Sequence, residues 1–275
     1  MGVYPSLVAT FDLDRYLTRI GWSGSRAPTL DTLAGVLRAH MTAIPFENLD
    51  VLLGRGVRID LDSVSAKIVD ARRGGYCFEH GTLCQAALTH LGFAPVAHAA
   101  RVIMLRRREE APLTHMVLIV SVDDRTFVLD PGFGGHAPLV PVPLEEAQEA
   151  RDGGDRHRMV RRDGEWVLDA LVDGTYVPLW TTSLSRAEPV DFLMANHFVS
   201  TYPVSPFVTS LMLRAFSPRG RVSMMNRDLT VRDGISVEKT QVTDRTALRS
   251  ILASDFGFDL PDVEHIRVPG VPEWM

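Results

Sequence analysis

The tightest constraint on the fold is a change of apolar periodicity near Gly92. Before it, apolar residues recur at helical spacing: Phe11, Tyr16, Leu17 and Ile20 within Phe11 to Trp22, then Leu30, Leu33, Val36 and Leu37 behind a capping Thr29. A third segment, Asp62 to Arg73, carries Val64, Ile68 and Val69, and Gly74-Gly75 is expected to stop it before a fourth helix runs from Cys77 to Gly92. From Phe93 to about Leu184 the pattern becomes short alternating or β-branched runs, among them Met116 to Val122, Thr126 to Leu129 and Glu165 to Leu168. Gly153-Gly154 and Asp163-Gly164 read as turns, Pro131 to Pro143 reads mostly as loop, and the whole reads as an antiparallel meander. After Glu188-Pro189 come strand-like pieces and a final helix capped by Thr243, with Ala247, Leu248, Ile251 and Leu252 on its apolar face. The expectation is an α+β chain whose helical residues 1–92, strand-rich residues 93–188 and mixed residues 189–275 form three units. A length of 275 residues, above the usual domain of about 100–150, suits that division.

Charge and composition narrow the partners. The 29 basic and 34 acidic residues leave a formal charge of −5, which argues against a nucleic-acid surface, since phosphate binding demands a basic excess. Arg106-Arg107-Arg108 is offset at once by Glu109-Glu110. No apolar run approaches the roughly 20 residues of a membrane helix, and no basic-then-apolar leader opens the chain, so a cytoplasmic protein with no membrane partner is expected. Met1-Gly2-Val3-Tyr4-Pro5-Ser6 fits the loose myristoylation pattern without a polybasic second signal and is discounted. Two cysteines, Cys77 and Cys84, are too few for a disulfide framework or a cysteine-rich zinc site, and no metal is expected. Two helical turns separate them, so they do not bridge, and Cys84 is assigned to the core.

Cys77 is different because of its position, just after Gly74-Gly75-Tyr76 and at the first turn of a helix. Exposed amides and the positive end of the helix dipole favour thiolate over thiol there, and Arg72 and Arg73 are candidates to add to that field. The competing reading is a buried structural cysteine behind a helix-capping glycine pair.

The strands supply a partner. Thr114 to Val120 and Thr126 to Asp130 are joined by Val122-Asp123-Asp124-Arg125 and should pair as a hairpin. With Asp123-Asp124 as a two-residue loop, His115 falls opposite Gly132, and Asp130 becomes its diagonal neighbour on the same face. A carboxylate there orients the imidazole, leaves its other nitrogen free for a proton and stabilises imidazolium. A three-residue loop would invert the parity. Cys77, His115 and Asp130 together make an activated-nucleophile set for acyl transfer, with His80, three residues after Cys77, as the rival base.

With these residues in view, the chain resembles the arylamine N-acetyltransferase family over essentially its whole length. Arg73 to His80 is similar to the family's active-site segment, Ile44-Pro45-Phe46-Glu47-Asn48-Leu49 to its upstream motif, and Gly132-Phe133-Gly134-Gly135 to its glycine-rich loop. Thr114-His115 and Asp130 fall where its triad partners lie, and Ser200-Thr201-Tyr202-Pro203, Ser205-Pro206-Phe207 and the final helix are similar to its C-terminal part. The resemblance implies a papain- and transglutaminase-like cysteine-enzyme fold, with an N-terminal helical bundle, a central antiparallel β-barrel and a C-terminal α/β lid. It implies ping-pong chemistry, in which acetyl-CoA acylates Cys77 and an arylamine, arylhydrazine or arylhydroxylamine then takes the acetyl group with His115 as base. It further implies an acceptor pocket at Phe46, Val102, Phe133 and Phe207, and CoA contacts at Thr114, Gly132 and Gly134, in a monomer or homodimer. For the pocket residues, plain core packing is the competing reading.

The chain departs from the family's usual pattern at Gly81, where asparagine is common, at Pro131, where an apolar residue is common, and at Met104, where many bacterial relatives carry an aromatic residue. Two other activities stay open at this level: an amide synthase that uses a longer acyl thioester, and a catalytically idle domain that binds an aromatic ligand.

Overall fold

The computed structural model describes residues 11–234 and 236–275, so the myristoylation-like match at Met1 to Ser6 lies outside the described residues. Helices α1 (Leu13–Ile20) and α2 (Leu30–Ala43) are capped by Asp12 and Thr29, whose side chains accept from the amides of Arg15 and Thr32. Gly21, at φ 70°, closes α1 in the left-handed conformation that a glycine adopts without cost, so this helix is shorter than its apolar spacing suggests. Strand β1 (Phe46–Glu47) and the short helix α3 (Leu49–Leu52) follow.

The third helical segment departs from expectation. Asp60 caps α4 (Leu61–Ser65), and Ala66–Asp70 then widens to π-helical winding, with the Ala71 amide bonded to the Ala66 carbonyl at 2.9 Å. Apolar residues four and five apart serve either winding, so spacing alone did not distinguish them. The chain turns at Arg72, which takes φ 53°, and neither Gly74 nor Gly75 acts as a left-handed cap. A Cβ on Gly74 would meet the Pro45 carbonyl oxygen at 2.1 Å, and one on Gly75 would meet the Glu79 side chain at 2.7 Å. The pair is therefore explained by close packing beneath the next helix, α5 (Cys77–His90).

Strands β2 (Val96–Val102), β3 (Leu113–Val122), β4 (Arg125–Leu129), β5 (Val142–Pro143), β6 (Glu149–Asp152), β7 (Asp155–Arg162), β8 (Glu165–Val172) and β9 (Thr175–Thr182) form one antiparallel sheet in the order β5-β4-β3-β2-β9-β8-β7-β6. The sheet curls so that β5 approaches β6 and β7, nearly closing a barrel. Val117, Val128, Met159, Leu168, Leu179 and Trp180 fill it, while Met116, Leu118, Val120, Phe127 and Leu129 face the helices. Alternation along β3 and β4 thus serves two cores at once.

The remaining elements are α6 (Pro189–Thr201), α7 (Pro206–Thr209), β10 (Met212–Ser217), β11 (Gly220–Met225), β12 (Asp228–Asp233), β13 (Ser236–Gln241) and α8 (Arg245–Asp255). The cap of α8 is Asp244 rather than Thr243: its carboxylate accepts from the Ala247 amide at 2.8 Å, and the Thr243 hydroxyl donates to it. A second sheet runs β1-β10-β11-β12-β13, so Phe46 pairs with Arg214 across a long sequence separation. Among the described residues no helix is long and apolar enough to cross a membrane.

Candidate active site

The β3–β4 hairpin fixes the site. Val122 pairs with Arg125 and Leu118 with Leu129, so Asp123-Asp124 is the two-residue loop that the parity argument required. His115 shares the barrel-facing parity of Val117, and Asp130 that of Val128. The His115 Nε2 lies 3.1 and 3.0 Å from the two carboxylate oxygens of Asp130. Both residues are buried, and so is Cys77.

Cys77 is the first residue of α5, and its thiol donates to the Thr114 carbonyl at 3.7 Å, one residue from His115. Because Nε2 is committed to Asp130, Nδ1 is the nitrogen left to exchange a proton with sulfur. Burial alone would push the His115 ring down, but the Asp130 carboxylate and the neighbouring Cys77 outweigh it and raise the ring to about 10. The arrangement suits an imidazolium held between a carboxylate and a thiol.

Gly132 shows how closely the parts are fitted. A Cβ there would lie 2.5 Å from the Cys77 Cα and 3.1 Å from its carbonyl oxygen, so only glycine lets the loop after Asp130 pass the head of α5. The Gly132 amide also donates to Asp130 at 3.4 Å. Beyond it, the Phe133 ring stands edge-on to His115 with centroids 5.4 Å apart. Gly134 takes φ 92° beside Phe46 and Arg214.

Phe46 and Phe207 face each other with centroids 6.2 Å apart, and Tyr76 lies 5.2 Å from Phe207. Each of Phe46, Phe133 and Phe207 is half-buried. Val102 stands elsewhere, at the end of β2 opposite Trp180, and the Thr114 hydroxyl donates to the Pro112 carbonyl at 3.4 Å.

His80 does not serve the thiol. It lies in a buried chain in which Tyr16 meets His40 Nδ1 at 3.0 Å, His40 Nε2 meets His80 Nδ1 at 2.9 Å, and His80 Nε2 meets the Pro45 carbonyl at 3.2 Å. A carbonyl only accepts, so His80 Nε2 carries the hydrogen, and burial favours the neutral form of both His40 and His80. Burial holds His80 down at about 4. Both its nitrogens are engaged.

Nor do Arg72 and Arg73 supply a free positive field. Arg72 is exposed, while the Arg73 guanidinium bonds Glu47 at 2.6 Å and Asp50 at 3.2 Å. Lys67 bridges Asp50 and Glu79, each at 2.8 Å, and Glu79 accepts the Tyr76 amide that precedes Cys77. Burial raises the Glu79 carboxyl to about 7, with Lys67 opposing and Glu47 adding to it. Cys84 is fully buried and its thiol is pushed up to about 12 by that burial.

Two further residues hold the site and left no local signal in the sequence. The Trp180 indole N–H donates to the Asp130 Oδ2 at 2.7 Å from across the barrel. Asn48 ties the upstream motif to the chain around Phe207: its amide nitrogen donates to the carbonyls of Phe207 and Ser210, and its oxygen accepts the Met212 amide, all at 2.8 Å. The departure at Gly81 has a steric counterpart, since a Cβ there would meet the Met116 sulfur at 2.6 Å. Among the described residues no group of three or more His, Cys, Asp and Glu side chains is arranged to hold a metal ion.

Fold and site together define a mixed helix-and-barrel protein with a buried thiol, imidazole and carboxylate at the seam between its two cores. Residues 29–265 match a family model described as N-acetyltransferase. The arylamine N-acetyltransferase of Mycolicibacterium smegmatis is 36% identical over 258 residues, covering 92% of this chain and 94% of that protein, and that of Escherichia coli K12 is 31% identical over 255 residues, covering 92% and 91%. The structure of Mycobacterium marinum arylamine N-acetyltransferase in complex with CoA superposes with a TM-score of 0.87 at 35% identity, over 92% of this chain and 94% of that one. The chain belongs to the arylamine N-acetyltransferase family and is a transferase.

Proposed function

We propose that the protein moves an acetyl group from acetyl-CoA to the nitrogen of an arylamine, arylhydrazine or arylhydroxylamine by a ping-pong route through acetyl-Cys77. The observation that carries this reading is the His115 imidazole held between Asp130 and Cys77. With its protonated form favoured by the Asp130 carboxylate, His115 takes the proton of the Cys77 thiol and leaves a thiolate paired with imidazolium. The thiolate attacks the acetyl carbonyl, the carbon–sulfur bond to CoA breaks, and the departing sulfur collects the proton from His115 Nδ1. With Cys77 acylated, its charge no longer holds a proton on the ring. His115 then accepts one from the attacking aryl nitrogen as the new C–N bond forms and the Cys77 thiolate is released.

Phe46, Phe133 and Phe207, each half-buried, are the aromatic side chains suited to a flat acceptor, and Val102, at the end of β2 opposite Trp180, is assigned to the same pocket by the family resemblance alone. Thr114, Gly132 and Gly134 take the side where CoA would approach. In this reading residues 1–92 carry the nucleophile, 93–188 the base and its carboxylate, and 189–275 close the cleft, in the manner of papain- and transglutaminase-like enzymes.

The test is intact mass and peptide mapping after incubation with acetyl-CoA alone. An increment of roughly 42 Da on Cys77, removed by an arylhydrazine and missing in Cys77→Ala, is the expected covalent intermediate. A folded protein that turns over acetyl-CoA and arylamine with no such adduct would refute the ping-pong route.

A further inference from the structure

Among the described residues no carboxylate pairs with the Arg214 guanidinium. It stands on β10 opposite Phe46, and burial alone pushes it below its ordinary value. Its Nη1 donates to the carbonyls of Leu213 and Met224 at 2.6 and 2.9 Å, which fixes the plane of the group but leaves its charge unanswered. The nearby Arg221 is paired with Asp155, so that carboxylate is already engaged. Desolvating a cation without an opposite charge is costly, and in proteins such a group is ordinarily paired or meets a ligand.

Its position says which ligand. The glycine-rich loop runs from the thiol to this guanidinium: Gly132 abuts Cys77, Phe133 abuts His115, and Gly134 lies between Phe46 and the Arg214 stem, where a Cβ would be 3.3 Å from Cγ. A Cβ on Gly135 would be 3.2 Å from the Arg214 Nε. Three residues span at most about 10 Å, so Arg214 lies within the length of a pantetheine arm, bent rather than fully extended, whose sulfur is at Cys77. Three guanidiniums, Arg214, Arg221 and Arg232, act on His136 of the same loop against one carboxylate, Asp155.

We propose that Arg214, with the Gly134-Gly135 backbone, is the seat for the phosphate at the far end of the pantetheine arm of the acyl donor. Guanidinium presents paired N–H donors to phosphate oxygens, and glycines let the backbone come close. This rests on the acyl-transfer reading above. The same chemistry is offered by the diphosphate of acyl-CoA and by the phosphodiester of a carrier-bound phosphopantetheine, and the experiment separates them.

Arg214→Gln and Arg214→Lys are compared with wild type on S-acetyl-CoA, S-acetyl-4′-phosphopantetheine and S-acetylpantetheine, and by calorimetric binding of CoA and of inorganic pyrophosphate. For Arg214→Gln the expected result is a rise of about tenfold or more in the acetyl-CoA KM, with a similar loss of CoA and pyrophosphate binding, a smaller loss in Arg214→Lys, and less than a twofold change with S-acetylpantetheine. An equal penalty on the single-phosphate donor places the first phosphate at Arg214, which a carrier-bound arm also offers. A penalty confined to acetyl-CoA makes free CoA the source. Equal penalties on all three donors, or no penalty on any, overturn the proposal. If wild type turns over none of the donors, the acyl-transfer reading fails. The anion seat then stands or falls on whether CoA and pyrophosphate bind and lose affinity in Arg214→Gln.

Discussion

The Trp180 indole and the His115 imidazole converge on one oxygen, Oδ2 of Asp130, at 2.7 and 3.0 Å. A carboxylate bonded from two sides cannot swing away from the ring it orients, so Trp180 is a positioning residue that acts through Asp130. Trp180→Phe keeps most of the apolar volume and removes the donor. A hydrogen bond to a charged group contributes about 1.5–3 kcal/mol, so kcat should fall about tenfold or more with the acceptor KM little changed. The readout specific to positioning is the pH at which Cys77 becomes alkylatable by iodoacetamide, which should move upward as the hold on the imidazolium loosens. A fall in Tm with that onset unmoved would reduce Trp180 to a packing role.

Gly132→Ala tests how the loop and the nucleophile helix share space. The added methyl meets backbone at 2.5 Å rather than a flexible side-chain end, so either the loop or the head of α5 must shift. Overpacking of this kind costs about 1–3 kcal/mol, and here the displaced group is the nucleophile's own backbone. We expect a lowered Tm together with turnover reduced at least a hundredfold. Gly154→Ala, at an open turn with nothing within 4 Å, is the control and should change neither. Wild-type turnover in Gly132→Ala would show that the site tolerates a displacement the geometry forbids.

The reach of the sequence follows from what is local. The His115–Asp130 pairing was legible because strand alternation has a period of two and the Asp123-Asp124 turn fixes register, so parity carried two side chains to one face. The thiol at a helix start was legible from the helical pattern after Tyr76. Trp180 was not, because its approach depends on barrel closure, which no neighbouring residues encode. The β1–β10 pairing was hidden for the same reason, and with it the meeting of Phe46 and Arg214. Gly74-Gly75 misled because a glycine required by a close neighbour looks, in sequence, like one required by a positive φ.

Asn48 connects two of the three aromatic residues proposed for the acceptor pocket, Phe46 and Phe207, since it adjoins β1 and holds the carbonyls of Phe207 and Ser210. Asn48→Ala removes the partner of three part-buried backbone groups and should cost about 1–3 kcal/mol of stability. If its bonds set the Phe46–Phe207 gap, the arylamine KM should rise several-fold while formation of the acetyl-enzyme from acetyl-CoA keeps its rate. Equal losses in both half-reactions would mean that Asn48 supports the fold without setting the pocket.

Glu79 gives the bundle a titration near neutrality. Three carboxylates, Glu47, Asp50 and Glu79, face Lys67 and Arg73, with Arg55 reaching Asp50 at 3.8 Å from the exposed side, and burial raises the Glu79 carboxyl to about 7 from its usual value near 4.5. A group whose folded value is raised contributes stability that is present below the unfolded value and lost as pH rises through the folded one. Wild type should therefore lose stability relative to Glu79→Gln from about pH 4.5 up to about pH 7, and the difference should level off above that. Glutamine keeps an oxygen for the Tyr76 amide, so the variant is expected to fold, and it does not titrate. Thermal unfolding of both proteins across that range, at constant ionic strength, reads the difference directly. His115 adds its own loss from about pH 6.5 up to about 10, and it does so in both proteins, so it cancels from the comparison. A Tm gap between the two that stays constant from about pH 4.5 to pH 8 would mean that Lys67 keeps Glu79 ionised throughout.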